Sequence, residues 1–342
     1  MRILITANIT PFLYGGADNH IKGLHAALKE YGHDVELLRL PFQFQPESSI
    51  VNSMEYCESL SMDRPNGVEI DRLISLQFPS YGICHSDHWI WLMHQHRAVY
   101  ELFDKQTKTK ELTALRTQIH SYDKRVLSKA KRLFSNSRRV AERLKEYNGL
   151  ESIPLYHPPA VFDKFYCKKA FPYIFYPSRL ESLKRQDILI EAARFTKSPI
   201  KILIAGDGGQ HGRYQELVKK YRISDKVRLL GRISDEEKLA FYARASAVFF
   251  APYDEDYGYI TLEAMLASKP VITATDSGGP LEFVQHQQTG WVSEPQPEAI
   301  AEILDEIYFK PEVARKMGID ARAYYESLNI SWEHVVRTLT AS

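Results

Sequence analysis

Residues 244–284 contain a strand–loop–helix–strand pattern that restricts the chain to few folds. The apolar run at 247–251 predicts a buried strand, and helical periodicity follows at 259–266. A Lys-Pro pair ends that helix, and the next apolar run, 271–274, predicts a second strand before the glycine turn at 278–280. Strands and helices that alternate in this way are typical of a doubly wound α/β fold with a parallel sheet.

The same alternation begins at the N-terminus, where strands at 2–7 and 35–38 flank a helix at 20–31. Residues 41–70 are rich in Gln, Ser, Asn and Pro, and we expect them to be an irregular insertion. Two consecutive prolines at 158–159 stiffen the chain before the strands resume near residue 173, and we expect the domain boundary between these prolines and Lys169.

Composition excludes several classes of protein. The chain has 342 residues, enough for two domains, and its net charge of +1 gives no reason to expect a nucleic-acid partner. Three widely spaced cysteines predict free thiols in a reducing compartment, and neither a leader pattern nor a membrane-spanning apolar run is present. We therefore expect a cytoplasmic protein. The first strand is not followed by G-x-G-x-x-G, and no P-loop occurs, so a nicotinamide, flavin or P-loop enzyme is disfavoured.

Two carboxylates mark the central stretch, Glu255 in its loop and Glu263 in its helix. In a continuous helix they would lie about 12 Å apart along the axis and point in different directions. A glycosidase pair spans about 5–9.5 Å across one bond, so two contacts along an extended ligand fit better. Between them, the backbone at Gly258 begins a helix, and a helix N-terminus suits a diphosphate. The alternative is a surface loop with solvated acids and an ordinary core helix.

Other candidate residues lie in loops that follow predicted strands. Arg179 and Lys184 occupy a strand-to-helix turn, where their charges could converge on phosphate oxygens or merely solubilise the helix start. Gly15 and Gly16 follow the first strand and either let a ligand approach the backbone or form a flexible turn. His94 follows a short apolar strand and could hydrogen-bond a sugar hydroxyl or be structural.

Residues 105–146 are strongly basic, which predicts either a solvated face or weak peripheral binding to an anionic membrane or an acidic acceptor. The basic residues that define this stretch are Lys124, Arg125, Lys129, Lys131, Arg132, Arg138, Arg139, Arg143 and Lys145.

The sequence EDYGYITLEAM followed by KPVITATDSGGPLEFV closely resembles the E-x7-E region of retaining family-4 glycosyltransferases of the GT-B fold. Arg179 and Lys184 match the R-x4-K element of that family, and GGADNHIKGLHAALKEYGHDV is similar to its first loop and helix. The resemblance implies two Rossmann-like doubly wound domains that face each other across a cleft. We place the acceptor-side domain at 1–165 and the nucleotide-sugar domain at 166–324, with a C-terminal helix at about 325–342 that crosses back to the first domain.

The resemblance also implies roles for individual residues. Glu255 would approach the donor sugar, Glu263 the ribose hydroxyls, Arg179 and Lys184 the diphosphate, and His94 a sugar hydroxyl. Further donor contacts are implied for Gly15, Gly16, Gly206, Arg232, Ile233, Tyr257, Gly258, Tyr259 and Ile260, and acceptor contacts for Asp18, Asn19, His96 and Arg97. His96 is also the second choice for the sugar contact. Asp256 departs from the glycine usual in the family.

The function so implied is retaining transfer of a hexosyl group from a UDP- or GDP-sugar to a hydroxyl of a glycan, a lipid-linked acceptor or a small molecule. Neither metal nor bound cofactor is expected. Three alternatives stay open: a metal bound by the D-x-D at 254–256, a sugar-nucleotide epimerase, and a non-catalytic protein that binds sugar nucleotides.

Overall fold

The structure, a computed structural model, describes residues 1–12 and 15–341. The chain divides into two compact units. The first unit comprises Met1–His157 together with Ser331–Ser342, and the second unit comprises Pro158–Ile330.

The first unit is built on a parallel sheet in which the described residues supply six strands, in the order β2-β1-β3-β4-β5-β6. Its elements in chain order are β1 (Arg2–Ile9), α1 (Gly16–Glu30), β2 (Asp34–Pro41), α2 (Glu47–Ser59), β3 (Arg72–Ser75), β4 (His88–Leu92), α3 (Lys110–Leu127), β5 (Arg132–Ser135), α4 (Arg138–Asn148) and β6 (Ile153–Pro154).

The C-terminal helix of the chain belongs to this first unit and packs on α1. Trp332 lies so close to Gly23 of α1 that a Cβ at residue 23 would stand 2.2 Å from the indole ring. The Arg72 guanidinium on β3 donates to the backbone carbonyls of Leu339 and Ala341 at 2.8 and 3.0 Å. The returning C-terminal helix is thus held by close packing and by a buried cation that binds its last carbonyls.

Helix α2, Glu47–Ser59, contradicts the expectation that residues 41–70 are irregular. Ile50, Met54 and Cys57 recur at helical spacing and are buried, so the helix has an apolar face. Apart from Val51 and Tyr56 its remaining positions are polar, and this composition resembles that of a loop.

The second unit contains another parallel sheet, whose described strands have the order β12-β11-β10-β7-β8-β9. Its elements in chain order are β7 (Tyr173–Pro177), α5 (Gln186–Ala192), β8 (Lys201–Ala205), α6 (His211–Lys220), β9 (Val227–Gly231), α7 (Asp235–Arg244), β10 (Ala247–Phe249), α8 (Tyr259–Leu266), β11 (Val271–Ala274), β12 (Gly290–Ser293), α9 (Pro297–Phe309) and α10 (Pro311–Ser327). Helix α11 (Trp332–Leu339) then completes the first unit.

Two parallel sheets with flanking helices confirm the predicted doubly wound α/β architecture. In the second unit the chain runs from β7 to β8 and β9 on one side of the sheet and then returns to β10 on the other side, so the strand order reverses between β7 and β10. Ligands of open α/β sheets bind beyond the carboxyl ends of the strands at such a reversal. The loops after β7, β8 and β10 therefore position any site in this unit.

Candidate functional site

The loops after β7 and β10 bring Lys184 and Glu255 into contact. The Lys184 ammonium lies 2.6 Å from a Glu255 carboxylate oxygen, and both side chains are largely buried, with 16% and 19% exposed. The Lys184 carbonyl accepts a hydrogen bond from the Tyr176 hydroxyl, and the Glu255 N–H donates to the Ser277 carbonyl at 2.9 Å. The two predicted motifs therefore meet through one charged pair on two fixed loops.

Arg185 fastens these loops together, and the sequence analysis did not identify it. Its guanidinium donates two hydrogen bonds to the Asp276 carboxylate, at 2.8 and 2.7 Å, and one each to the carbonyls of Ala251 and Pro252 at 2.8 Å. A bidentate Arg–carboxylate pair imposes geometry as well as affinity. Since Asp276 lies 91 residues away in sequence, only the fold reveals this clamp.

Arg179 lies in the same loop but has a different environment. Its backbone carbonyl accepts from the Gln186 amide at 2.9 Å, and the next residue, Leu180, donates its N–H to the Asp207 carbonyl at 3.0 Å. The Arg179 side chain is exposed, and its guanidinium has no hydrogen bond or ion pair among residues 1–12 and 15–341. The loop backbone is thus fixed, whereas the charge at its tip is uncompensated by a neighbouring acid.

Gly206, which follows β8, lies against the loop that carries Arg179. A Cβ at residue 206 would stand 2.0 Å from the Ser178 carbonyl oxygen, and the backbone φ is +129°. The Gly206 N–H donates to the Gly231 carbonyl at 2.7 Å. Glycine is required here by close backbone approach and by conformation, whatever further contact this turn makes with a ligand.

Glu263 is buried on α8, with 7% of the residue exposed, yet its carboxylate is well provided with donors. The Tyr242 hydroxyl donates to one oxygen at 2.7 Å, and the Lys238 ammonium donates to the other at 3.1 Å. Burial and the Glu263 charge raise the pKa of Tyr242 well above its usual value, so the phenol stays protonated and can donate. Lys238 and Tyr242 lie one turn apart on α7, but nothing local in the sequence indicates their partner.

Helix α8 begins at Gly258, whose φ of +87° is left-handed. The Tyr257 ring is buried and packs edge-to-face on Tyr259 and Phe283, with centroids 5.3 and 5.9 Å apart. The side chains of Tyr257 and Tyr259 therefore help to fix the helix start, and Ile260 is partly buried there. The first N–H groups of a helix have no acceptor within the helix, so this end carries positive electrostatic potential.

The turn after β9 carries Arg232 and Ile233, which were also predicted to contact the donor. Arg232 lies 3.3 Å from the Asp207 carboxylate, but its side chain is 85% exposed, so this ion pair contributes little to stability. Ile233 is partly buried.

In the first unit, the predicted site loop precedes α1. Gly15 begins that helix and donates its N–H to the Asp18 carboxylate at 3.1 Å; a Cβ at residue 15 would meet open space. Asp18 also pairs with Arg39 at 3.0 Å, whereas Asn19 is exposed. Asp18 therefore stabilises the helix start, and Leu13 and Tyr14 of this loop lie outside the described residues.

His94 and His96 follow β4 but have different surroundings. His94 is partly buried, and its Nδ1 lies 2.7 Å from the Gln95 carbonyl oxygen. Because a carbonyl oxygen can only accept, Nδ1 is the donor in this contact. His96 packs among the rings of Phe42, Phe44 and Phe78, and burial lowers its pKa to about 4, so the ring is neutral at pH 7.

Arg97, a predicted acceptor contact, forms an ion pair with Glu101 one turn later in the chain. Glu101 is also 3.4 Å from Arg143, whose side chain is almost completely buried. The positive charge of Arg97 is therefore at least partly balanced within the protein.

Ion pairs also reduce the free charge of the basic stretch at 105–146. Arg125 pairs with Glu58 at 2.8 Å, Lys131 with Asp87 at 2.7 Å and Lys145 with Glu151 at 2.8 Å. Peripheral membrane binding stays a prediction, and these pairs leave less charge to drive it. None of the described helices has the length and apolarity needed to cross a membrane.

Searching residues 1–12 and 15–341 finds no cluster of three or more His, Cys, Asp or Glu side chains suited to a metal ion. Glu255, the middle residue of the D-x-D, is instead held by the Lys184 ammonium.

Comparison with known proteins places the second unit in a family. Residues 162–324 match the sequence model of the family described as glycosyl transferases group 1. The alpha-1,3/1,6-mannosyltransferase ALG2 of Homo sapiens is 37% identical over 113 residues, which are 32% of this chain and 27% of the human protein. The alignment thus covers only about a quarter of that relative.

Solved structures match almost the whole chain at low sequence identity. Sucrose-phosphate synthase from Thermosynechococcus elongatus superposes with a TM-score of 0.78 at 18% identity, over 99% of this chain and 97% of that one. HepE from Anabaena, in complex with UDP-glucose, superposes with a TM-score of 0.74 at 15% identity, over 99% and 98%. Both likenesses concern the fold. Residues 162–324 therefore belong to the glycosyl transferases group 1 family, and the chain, with its two parallel sheets, has the GT-B fold.

Proposed function

We propose that this protein transfers a hexosyl group, with retention of configuration, from a nucleoside-diphosphate sugar to a hydroxyl acceptor. The second unit would bind the donor and the first unit the acceptor. The observation that carries the proposal is the Lys184–Glu255 contact, because it joins the R-x4-K loop to the E-x7-E segment in one charged cluster.

The donor diphosphate would be held by fixed positive charge. Arg179 is an exposed cation on a loop whose backbone is hydrogen-bonded, and Lys184 follows it in the chain at the end of a short turn, Ser182–Lys184. Charge builds on the leaving diphosphate as the glycosidic bond breaks, and preorganised cations stabilise that charge. Lys184 would then be shared between a phosphate oxygen and Glu255.

Glu263 would accept the ribose hydroxyls. A carboxylate oxygen has lone pairs beyond the one that each of Lys238 and Tyr242 occupies, so it can still accept from a ligand. The two donors also offset the desolvation of a buried carboxylate and hold it in one orientation. Lys238 and Tyr242 are thus positioning residues in this proposal.

Glu255 and His94 would orient the transferred sugar. The Glu255 carboxylate keeps one oxygen beyond the atom that Lys184 binds, and the Nε2 of His94 would form a hydrogen bond with a sugar hydroxyl. Because Glu255 is already held by an ammonium ion, we favour attack by the acceptor assisted by the donor phosphate over a covalent glycosyl–Glu255 intermediate.

Metal independence is part of the proposal. Arg179 and Lys184 supply the positive charge that a divalent ion would otherwise bring to the diphosphate. Turnover is expected to be unchanged in excess EDTA. Loss of turnover in EDTA that Mn²⁺ or Mg²⁺ restores would favour a metal at 254–256 instead.

Two relatives guide the choice of donors for the test. HepE was solved with UDP-glucose, and the human relative is called a mannosyltransferase. Purified protein would be incubated with UDP-glucose, UDP-N-acetylglucosamine and GDP-mannose, with and without a panel of glycoside acceptors, and the released nucleoside diphosphate would be measured. Anomeric configuration of the product, read by NMR, tests retention.

The outcomes separate the alternatives. Diphosphate release that rises with an acceptor supports transfer. Conversion of one sugar nucleotide into its epimer without release of diphosphate would indicate an epimerase. Binding of a sugar nucleotide without any reaction would indicate a non-catalytic protein. Lys219→Ala, a change at an exposed lysine of α6, serves as the matched control for Lys184→Ala.

A further inference from the structure

Gln95 follows His94 in the loop after β4, and its peptide is the immediate support of the His94 ring. The carbonyl oxygen of Gln95 accepts the hydrogen bond from His94 Nδ1 at 2.7 Å. Gln95 itself is buried, with 2% of the residue exposed, so the protein encloses its side chain. A contact to a neighbouring peptide orients a ring only as well as that peptide is held. The contacts that hold Gln95 therefore bear on the orientation of His94.

The Gln95 side chain is held from α4. Its Nε2 donates to the Oδ1 of Asn148, the last residue of that helix, although the two residues are 53 positions apart in sequence. Its Oε1 is buried and has no donor among the residues that the structure describes. Since one half of this buried amide is already unsatisfied, a shift of the loop away from Asn148 would leave both of its polar atoms without a partner, which is costly.

Asn148 is held in turn by a buried tyrosine and a buried acid. Its Nδ2 donates to the Tyr100 hydroxyl oxygen at 3.1 Å, and that hydroxyl donates to an Asp123 carboxylate oxygen at 2.7 Å. Asp123 lies on α3, and both it and Tyr100 are buried. The side chains of Gln95, Asn148, Tyr100 and Asp123 form one continuous series of hydrogen bonds, which we call the Gln95–Asp123 network. This network ties the loop that carries His94 to two helices of the first unit.

Tyr81 offers an internal comparison, because it binds the same acid without joining the network. Its hydroxyl donates to the other Asp123 oxygen at 2.6 Å, and its ring is as deeply buried as that of Tyr100. Among residues 1–12 and 15–341, the Tyr81 hydroxyl makes no second hydrogen bond. Loss of either phenol would disturb Asp123 in a similar way, but only loss of the Tyr100 hydroxyl would interrupt the connection to the loop after β4.

We propose that Gln95, Asn148 and Tyr100 are positioning residues for His94. Through the Gln95–Asp123 network they fix the peptide that accepts from Nδ1, and the other ring nitrogen, Nε2, is thereby directed at a hydroxyl of the transferred sugar. The inference rests on the proposed function, in which His94 contacts that sugar, and adds the residues that set the orientation of the contact. A buried polar network imposes one arrangement, because the alternatives leave polar groups unpaired in a medium of low dielectric constant. The three positioning residues act through the His94 ring and do not touch the donor.

The first test needs no ligand. Long-range proton–nitrogen NMR spectra of the full chain distinguish a proton on Nδ1 from one on Nε2 of an imidazole, and His94→Ala identifies the His94 signals. At mildly alkaline pH, where imidazole side chains are neutral, His94 of the wild type should carry its proton on Nδ1. Tyr100→Phe and Gln95→Leu should each lower that Nδ1–H population by about twofold or more. Tyr81→Phe, the matched control, should leave the population unchanged.

The second test measures what the sugar adds to donor affinity. Calorimetric dissociation constants for UDP-glucose and UDP, and for GDP-mannose and GDP, give the gain in affinity due to the sugar in each pair. For the donor with the larger gain, Tyr100→Phe should reduce that gain by about threefold or more, while the affinity for the nucleoside diphosphate alone stays the same. In a His94→Ala background the same change should have no further effect, because the network acts through that ring.

Equal effects of Tyr100→Phe and Tyr81→Phe on the His94 tautomer would overturn the inference, since they would reflect a general loosening around Asp123. An unchanged tautomer in both Tyr100→Phe and Gln95→Leu would overturn it as well, and so would an effect on sugar affinity that persists in the His94→Ala background. Protein that binds neither UDP nor GDP would contradict the proposed function instead, and the tautomer measurements would still decide whether the network positions the ring.

Discussion

Replacing Gly206 by Ala should damage the loop that carries Arg179. A Cβ at residue 206 would lie 2.0 Å from the Ser178 carbonyl oxygen and 2.8 Å from its carbon, where normal contact is well beyond 3 Å. The loop must move by more than 1 Å, which as overpacking costs about 1–3 kcal/mol. The φ of +129° adds a further cost of about 1–3 kcal/mol for alanine. We expect a total loss of about 2–6 kcal/mol in the free energy of unfolding.

The assay combines urea unfolding with calorimetric affinity for UDP and GDP. Because the displaced loop carries Arg179, diphosphate affinity should fall about tenfold or more, which is about 1.4 kcal/mol. Gly209→Ala is the matched control, since its Cβ would meet nothing within 4 Å in the same turn. That variant should stay within about 0.5 kcal/mol of the wild type. If Gly206→Ala were equally harmless, the packing argument for this turn would be wrong.

Three further predictions follow from other contacts. Lys184→Ala should lower turnover by about two orders of magnitude or more, because it removes a group that stabilises the leaving anion. The circular dichroism spectrum should stay unchanged, and near-normal turnover would refute the role of Lys184 in stabilising the leaving diphosphate. Arg185→Lys should lower turnover and diphosphate affinity together, because lysine cannot form the two-point bond to Asp276; unchanged kinetics would show that the clamp is dispensable. Burial raises the pKa of Asp123 to about 7, so the folded state binds its proton more tightly than the unfolded state, and stability is lost as pH rises from about 4 to 7. The free energy of unfolding of Asp123→Asn, relative to that of the wild type, should therefore increase by up to about 4 kcal/mol between pH 4 and pH 8. A difference between the two proteins that does not depend on pH would contradict this.

Elements with strong local signals could be predicted from the sequence. The helix at Tyr259–Leu266 and the strand at Val271–Ala274 have the predicted bounds. Continuous apolar runs and the Lys-Pro stop are properties of neighbouring residues, so no knowledge of the fold is needed to read them. Helix α2 was missed for the opposite reason: its three buried positions lie among mostly polar residues, and only packing against the rest of the unit makes that spacing meaningful.

The contacts of the candidate site could not be predicted, because they join residues that are distant in sequence. Lys184 and Glu255 are 71 residues apart, and each was expected to face the ligand on its own. The structure places them in one ion pair. The Glu255 carboxylate therefore offsets part of the positive charge that Lys184 could offer to a diphosphate. A mutation of either residue also changes the environment of the other, and their effects on activity should not add.

Glu263 shows most clearly what a family resemblance leaves out. The resemblance assigns this carboxylate to the ribose but does not explain how a buried acid remains useful as an acceptor. A buried carboxylate has lost its hydration, and that loss is costly unless hydrogen-bond donors replace the water. Lys238 and Tyr242, both on α7, remove that difficulty with one charge and one hydroxyl. Because α7 supplies both groups, a shift of that helix should change the proposed ribose contact of Glu263. Discrimination between UDP and 2′-deoxy-UDP, measured in a Lys238→Met variant, would therefore report on the helix and the ribose contact together.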